Sequence, residues 1–298
     1  MTCSTMKSLI ACTGIFLFSQ HLFAADKLPV FVSIVPQKYF VQQIGRNLVD
    51  VRVMVQPGAS PATYEPKPRQ MADLSKTKIY FSIGVPFENT RLNMIAASNP
   101  DMKIVPTDHG IEKMPMAAHH HHDETRERLT HEDNPHGGLD PHIWLSPPLV
   151  KKQAYSILTA LMEVDPSHGP SYEANFHNFV SRVDELDAEL RKMFADKQGM
   201  RFLVFHPSWG YFAHAYGLEQ VPIEIEGKNP KPAELKELIE LARSEGIKAV
   251  FVQPQFSTKS AMLLAKEIGG RVVVADPLAE DWLVNLQAVA DKLKAVLK

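Results

Sequence analysis

The chain has 298 residues, 45% of them hydrophobic and 22% charged, an ordinary globular composition. That length accommodates two domains of about 130 residues each. The formal net charge of −2 removes any electrostatic case for a nucleic-acid partner or an anionic membrane surface.

The N-terminus reads as a cleaved export signal over residues 1–25. Lys7 is followed by an apolar run, Leu9 to Phe18, and then by Leu22-Phe23-Ala24-Ala25-Asp26 with small residues at the expected cut. A spanning helix would need about 20 apolar residues, which this run lacks. Leu9-Ile10-Ala11-Cys12 imitates a lipoprotein box, but the apolar core follows Cys12 instead of preceding it, so lipidation is rejected. Both cysteines, Cys3 and Cys12, fall inside the signal. The mature, exported protein would then have no thiolate, and any metal site must use His, Asp or Glu.

Beyond the signal, short apolar runs alternate with helical segments. Leu28 to Ile34, Val51 to Val55, Ile79 to Ile83 and Lys103 to Val105 are predicted strands, with helices over Pro36 to Gly45 and Gln70 to Ser75. Ser146 is the expected N-cap of a helix with Pro147 in its first turn. Ser171 to Ala195 carries one apolar stripe: Tyr172, Phe176, Phe179, Val180, Val183, Leu186, Leu190, Met193 and Phe194. At 1.5 Å per residue that helix is about 37 Å long, enough to span a domain. The stripe is interrupted and aromatic, which suits packing along two lobes better than a coiled-coil seam.

A second alternating set follows. Strands are predicted at Arg201 to Phe205, Val221 to Ile225, Ala249 to Gln253 and Arg271 to Ala275. Helices are predicted at Pro232 to Ser244, Ser257 to Ile268 (capped by Gly269) and Asp281 to Leu297. The expected fold class is therefore α/β, with parallel-type sheets flanked by helices in two lobes. The expected division is an N-terminal lobe over 26–169, a linking backbone helix over 170–200 and a C-terminal lobe over 201–298.

The most biased stretch runs from His119 to Trp144 and holds seven histidines: His119, His120, His121, His122, His131, His136 and His142. Acidic residues are interleaved with them in a polar loop over 117–139. Such tracts bind metal by composition, and imidazole suits first-row transition metals. In open α/β sheets ligands bind beyond the carboxyl ends of the strands. His206 directly follows RFLVF, Asp276 directly follows RVVVA, and His142 precedes a helix start. Two imidazoles and one carboxylate make a donor set suited to zinc, with manganese or iron as alternatives. His109, His168, His177 and His214 read as structural or surface residues.

At these residues the chain resembles a known family. Gly58-Ala59-Ser60-Pro61, Tyr64-Glu65-Pro66, Asp140-Pro141-His142-Ile143-Trp144-Leu145-Ser146-Pro147 and Phe205-His206 match. So do Gly210-Tyr211-Phe212, Glu224-Ile225-Glu226-Gly227 and Pro254-Gln255-Phe256-Ser257. Together they resemble the cluster A-I solute-binding proteins of ABC importers, of the periplasmic zinc-binding type, over essentially the whole mature chain. The resemblance implies two lobes bridged by a rigid helix, with metal held in the cleft by His142, His206 and Asp276. It also implies a monomer that delivers its metal to an ABC permease of the inner membrane.

One position departs from the family pattern. A histidine is usual between the Ser-Pro and the Tyr-Glu-Pro, and here that position is Ala62, whose methyl group cannot coordinate. Water, a loop histidine or Glu65 is expected to complete the coordination. An open position beside Glu65 also fits a zinc hydrolase, but no His-Glu-x-x-His, Gly-x-Ser-x-Gly or glycine-rich phosphate loop is present, so no enzymatic activity is expected. A metal-dependent adhesin or an extracellular metal buffer is a further reading of the same scaffold.

Overall fold

Two four-stranded sheets, every pairing parallel, organise the chain. The computed structural model describes residues 26–117, 138–224 and 228–297. The expected export signal and the histidines from His119 to His136 lie outside the described residues. The first sheet is built from β1 (Leu28–Val32), β2 (Val49–Val53), β3 (Ile79–Ser82) and β4 (Lys103–Pro106), in the order β2-β1-β3-β4. Its connections carry α1 (Val35–Gly45), α2 (Pro68–Leu74) and α3 (Pro86–Ser98). Two long helices follow, α4 (Pro147–Val164) and α5 (Gly169–Met193). The second sheet holds β5 (Arg201–Val204), β6 (Glu219–Pro222), β7 (Ala249–Val252) and β8 (Arg271–Val274), in the equivalent order β6-β5-β7-β8. Helices α6 (Gly210–Tyr216), α7 (Pro232–Ser244) and α8 (Lys259–Glu267) connect its strands, and α9 (Trp282–Val296) closes the chain.

Strand alternation decides where the core sits. In β5, Phe202 and Val204 face the larger core, while Leu203 and the following Phe205 face a smaller one shared with α7 and α8. Ala249 and Phe251 of β7 face the first, and Val250 and Val252 the second. The larger core runs on through both long helices into the first sheet. Helix α5 packs against α1, α4 and α9. The ring of Phe194, just past its end, meets Phe212 of α6 edge-on at 5.8 Å. The long helix therefore touches elements from both halves of the sequence, as its stripe predicts.

Several boundaries differ from expectation. β2 and β6 each begin two residues early, because pairing register overrides local apolarity. Leu28 pairs with Val49. Arg201 pairs with Glu219, and its Nε donates to the Glu219 carboxylate at 2.9 Å. Ser146 occupies the N-cap of α4 without a side-chain cap. Pro147 and Pro148 follow it and offer no N–H, and the Leu149 and Val150 N–H groups donate to its backbone carbonyl instead. Gly45 ends α1 by close approach: an added Cβ would come within 2.5 Å of the Val49 methyls. Helices α3 and α6 carry no prediction from sequence. Helix α9 packs back on α5, with Trp282 edge-on to Phe40 at 5.3 Å. No described helix is long and apolar enough to cross a membrane.

Candidate metal centre

Loops that follow strands of both sheets converge on one small cavity of about 60 Å³. Ser60, Pro61 and Ala62 after β2 and Val85 and Pro86 after β3 form one wall; His142 and Trp144 form a second; His206, Gln255 and Phe256 after β5 and β7 form a third. In both sheets the order reverses beside the first strand, so the loops after β3, β5 and β7 leave from switch points, where α/β sheets place ligands.

His142 and His206 face one another here, with ring centroids 5.2 Å apart and planes at 71°. His142 is 8% exposed. Its Nδ1 lies 2.6 Å from Asp140 Oδ1, which also accepts the His142 backbone N–H at 2.9 Å. His206 Nδ1 lies 2.5 Å from Oε1 of the buried Glu224. An ionised carboxylate only accepts, so each Nδ1 carries a proton, and in the neutral ring Nε2 then keeps its lone pair. Carboxylate-held imidazoles of this kind are how proteins orient histidine toward a metal. Burial draws the His142 pKa below its ordinary value, against the attraction of the Asp140 carboxylate, which favours the neutral ring that a metal requires.

Aromatic walls hold the pair. Phe256 stacks on His206 at 4.9 Å, and Trp144 leans on His142 at 5.1 Å. Gln253 clamps the His206 backbone from both sides. Its Oε1 accepts the His206 N–H at 3.2 Å, and its Nε2 donates to the His206 carbonyl at 2.7 Å.

Asp276 is placed differently. Its Oδ1 accepts from the Leu278 N–H at 2.9 Å and from Gln255 Nε2 at 3.0 Å, and it lines a neighbouring cavity with Val35, Gln56 and Glu280. Gln255 lines both cavities and stands between the two. Among the described residues, no three His, Cys, Asp or Glu side chains group to hold a metal ion. Glu65, expected as a possible completing ligand, is exposed, pairs with Arg91 at 2.5 Å and does not line the cavity. Ala62 does line it.

The remaining described histidines lie elsewhere. His168 bonds Asp165 at 2.7 Å at the α4–α5 junction, and His109, His177 and His214 are exposed. Asp140, Glu224 and Gln255 received no role from sequence, although each lies inside a motif quoted above. Their signal was adjacency to a candidate ligand, which spacing alone does not turn into contact. Where the His-rich segment leaves the described chain, Pro115 bridges Leu139 and the Met116 N–H donates to the Gly138 carbonyl at 3.0 Å. Both of its ends are thereby held together, with Met116 lining the cavity.

Comparisons with known proteins bear on this geometry. The family model described as ZnuA, zinc-uptake complex component A, periplasmic, matches residues 30–296. The high-affinity zinc uptake system protein ZnuA of Bacillus subtilis (strain 168) is 28% identical over 261 residues, covering 85% of this chain and 79% of that protein. The protein of the same name from Yersinia pestis is 25% identical over 272 residues, covering 86% and 85%. A crystal structure of ZnuA superposes with a TM-score of 0.82 at 42% identity, covering 92% of this chain and 100% of that one. A zinc-bound ZnuA lacking residues 138–173 gives 0.82 at 43% identity, covering 92% and 99%. With the match running over nearly all of the described chain, this protein belongs to the ZnuA family, the periplasmic component A of the zinc-uptake complex.

Proposed function

We propose that the chain captures a divalent metal ion, zinc foremost, between its two sheets and releases it to an ABC permease of the inner membrane. The observation that carries this reading is the facing pair His142 and His206, each tied through Nδ1 to a buried carboxylate with Nε2 left to coordinate. Two neutral imidazoles favour zinc, whereas oxygen-rich sites favour manganese. Asp276 is the proposed negative charge that balances the ion, acting beside the pair. His119, His120, His121, His122, His131 and His136 are proposed to collect metal and pass it inward. Residues 1–25 are proposed to direct export to the periplasm, where the chain works as a monomer.

The proposed role is stoichiometric binding without turnover. Equilibrium dialysis with zinc, manganese and ferrous iron, alongside ester and peptide hydrolysis assays, tests it. Tight zinc binding with no substrate turnover supports the reading, and steady hydrolysis dependent on zinc would replace it.

A further inference from the structure

The histidine pair supplies two donors, and Ala62 supplies none. Gln255 lines the same cavity, and its Oε1 is buried with no hydrogen-bond partner among the described residues. A buried amide oxygen left unpaired is costly, which marks it as a place to look for a missing ligand. The orientation of this amide follows from chemistry. Its Nε2 lies 3.0 Å from Asp276 Oδ1, and an ionised carboxylate accepts but cannot donate. Turning the amide over would set oxygen against oxygen, so Asp276 fixes the nitrogen on its own side. The Leu278 N–H, donating to the same Oδ1 at 2.9 Å, holds the carboxylate in place.

We infer that Gln255 Oε1 is a third metal donor beside His142 and His206, and that Asp276 is a positioning residue that aims it. The inference rests on the reading of the cavity as a metal site. It gives the chain an N2O set with an amide oxygen in place of the imidazole lost at Ala62. A neutral, harder donor lowers the preference for zinc over manganese relative to a three-imidazole site.

Zinc titration of the full mature chain and of Gln255→Met tests this, with a chelator as competitor. Methionine keeps the length of the side chain and removes the amide. The expected result is zinc affinity reduced at least 10-fold, with the metal-free melting temperature unchanged. Unchanged or tighter binding overturns the inference, and tighter binding would mean that the amide only competes for Asp276. Should the variant misfold, a crystal structure of the zinc-loaded wild-type chain decides. Gln255 Oε1 about 2.0–2.2 Å from the ion supports it, and an oxygen outside the coordination shell overturns it. His142→Ala separates the two levels. If it abolishes tight zinc binding while Gln255→Met does not, the cavity is the metal site and only the third donor is wrong.

Discussion

Trp282 donates its indole N–H to the backbone carbonyl of Trp144 at 2.7 Å, and the Trp144 indole in turn donates to the Pro277 carbonyl at 2.7 Å. Both rings are fully buried. Trp144 lies two residues after His142, and Pro277 lies one after Asp276, so this exchange sets the distance between the metal-site loops of the two halves. Lys38 and Glu280, paired at 2.5 Å, tie the same segment to α1 from the exposed side. Replacing Trp282 by Phe keeps most of the ring but leaves the Trp144 carbonyl unpaired. The expected loss is about 1–3 kcal/mol of unfolding free energy, read by urea denaturation. Zinc affinity should fall with it. Affinity unchanged in a destabilised variant would show that the indole exchange does not position the site.

The carboxylates behind the two histidines should act on affinity without touching metal. Glu224→Gln and Asp140→Asn each keep a side chain of similar shape and weaken the hold on Nδ1. Outer partners of this kind are worth about 10–100-fold in metal affinity. Competition titration is expected to place both variants in that range, each weaker than the wild type.

Restoring the imidazole at position 62 should tighten the site. Ala62 lines the cavity on the wall formed by Ser60 and Pro61, so Ala62→His adds a donor without crowding the buried core. Zinc affinity is expected to rise about 10-fold or more, with the gain larger for zinc than for manganese. A parallel deletion of residues 119–136 should leave the cavity affinity unchanged and lower the number of zinc ions bound at saturation.

Glu88 gives the fold a pH signature apart from the metal site. Its carboxylate accepts from the Gly84 N–H at 2.7 Å, the Ile83 N–H at 3.1 Å and the Ser33 hydroxyl, which also meets the Tyr80 hydroxyl. Burial outweighs these bonds and pushes its pKa from 4.5 up to about 7; Asp108, itself paired with Lys113, adds repulsion. A raised pKa means that the folded state holds the proton more tightly. The contribution to stability is full below 4.5 and is lost as pH rises through 7, at up to about 1.4 kcal/mol per pH unit. Glu88→Gln should remove that slope from denaturation curves recorded between these limits.

The parallel sheets were legible because each strand is a short apolar run bounded by turn residues, and the long helix because one apolar stripe runs along most of its 25 residues. Helix α3 was not legible: only Phe87, Glu88 and Ile95 are buried, so no stripe forms. Helix α6 is seven residues long with four buried, too short to show a period. The pattern of α9 announced an apolar face but not its partner, which turned out to be α5 and Phe40. At the site, strand ends pointed to His206 and Asp276 separately. That Gln255 stands between Asp276 and the cavity depends on the path of two loops, which no spacing records.

The central claim is that His142 and His206 together hold the metal. Chelator competition with zinc on the wild type, His142→Ala and His206→Ala, at pH 7.5 and 5.5, tests it most directly. An imidazole must be neutral to coordinate and ordinarily titrates near ~6.5, so protons compete at the lower pH. The account predicts one tight zinc site in the wild type at pH 7.5, weaker at 5.5 and lost in each alanine variant. Alanine variants that bind zinc as tightly as the wild type at both pH values would contradict it.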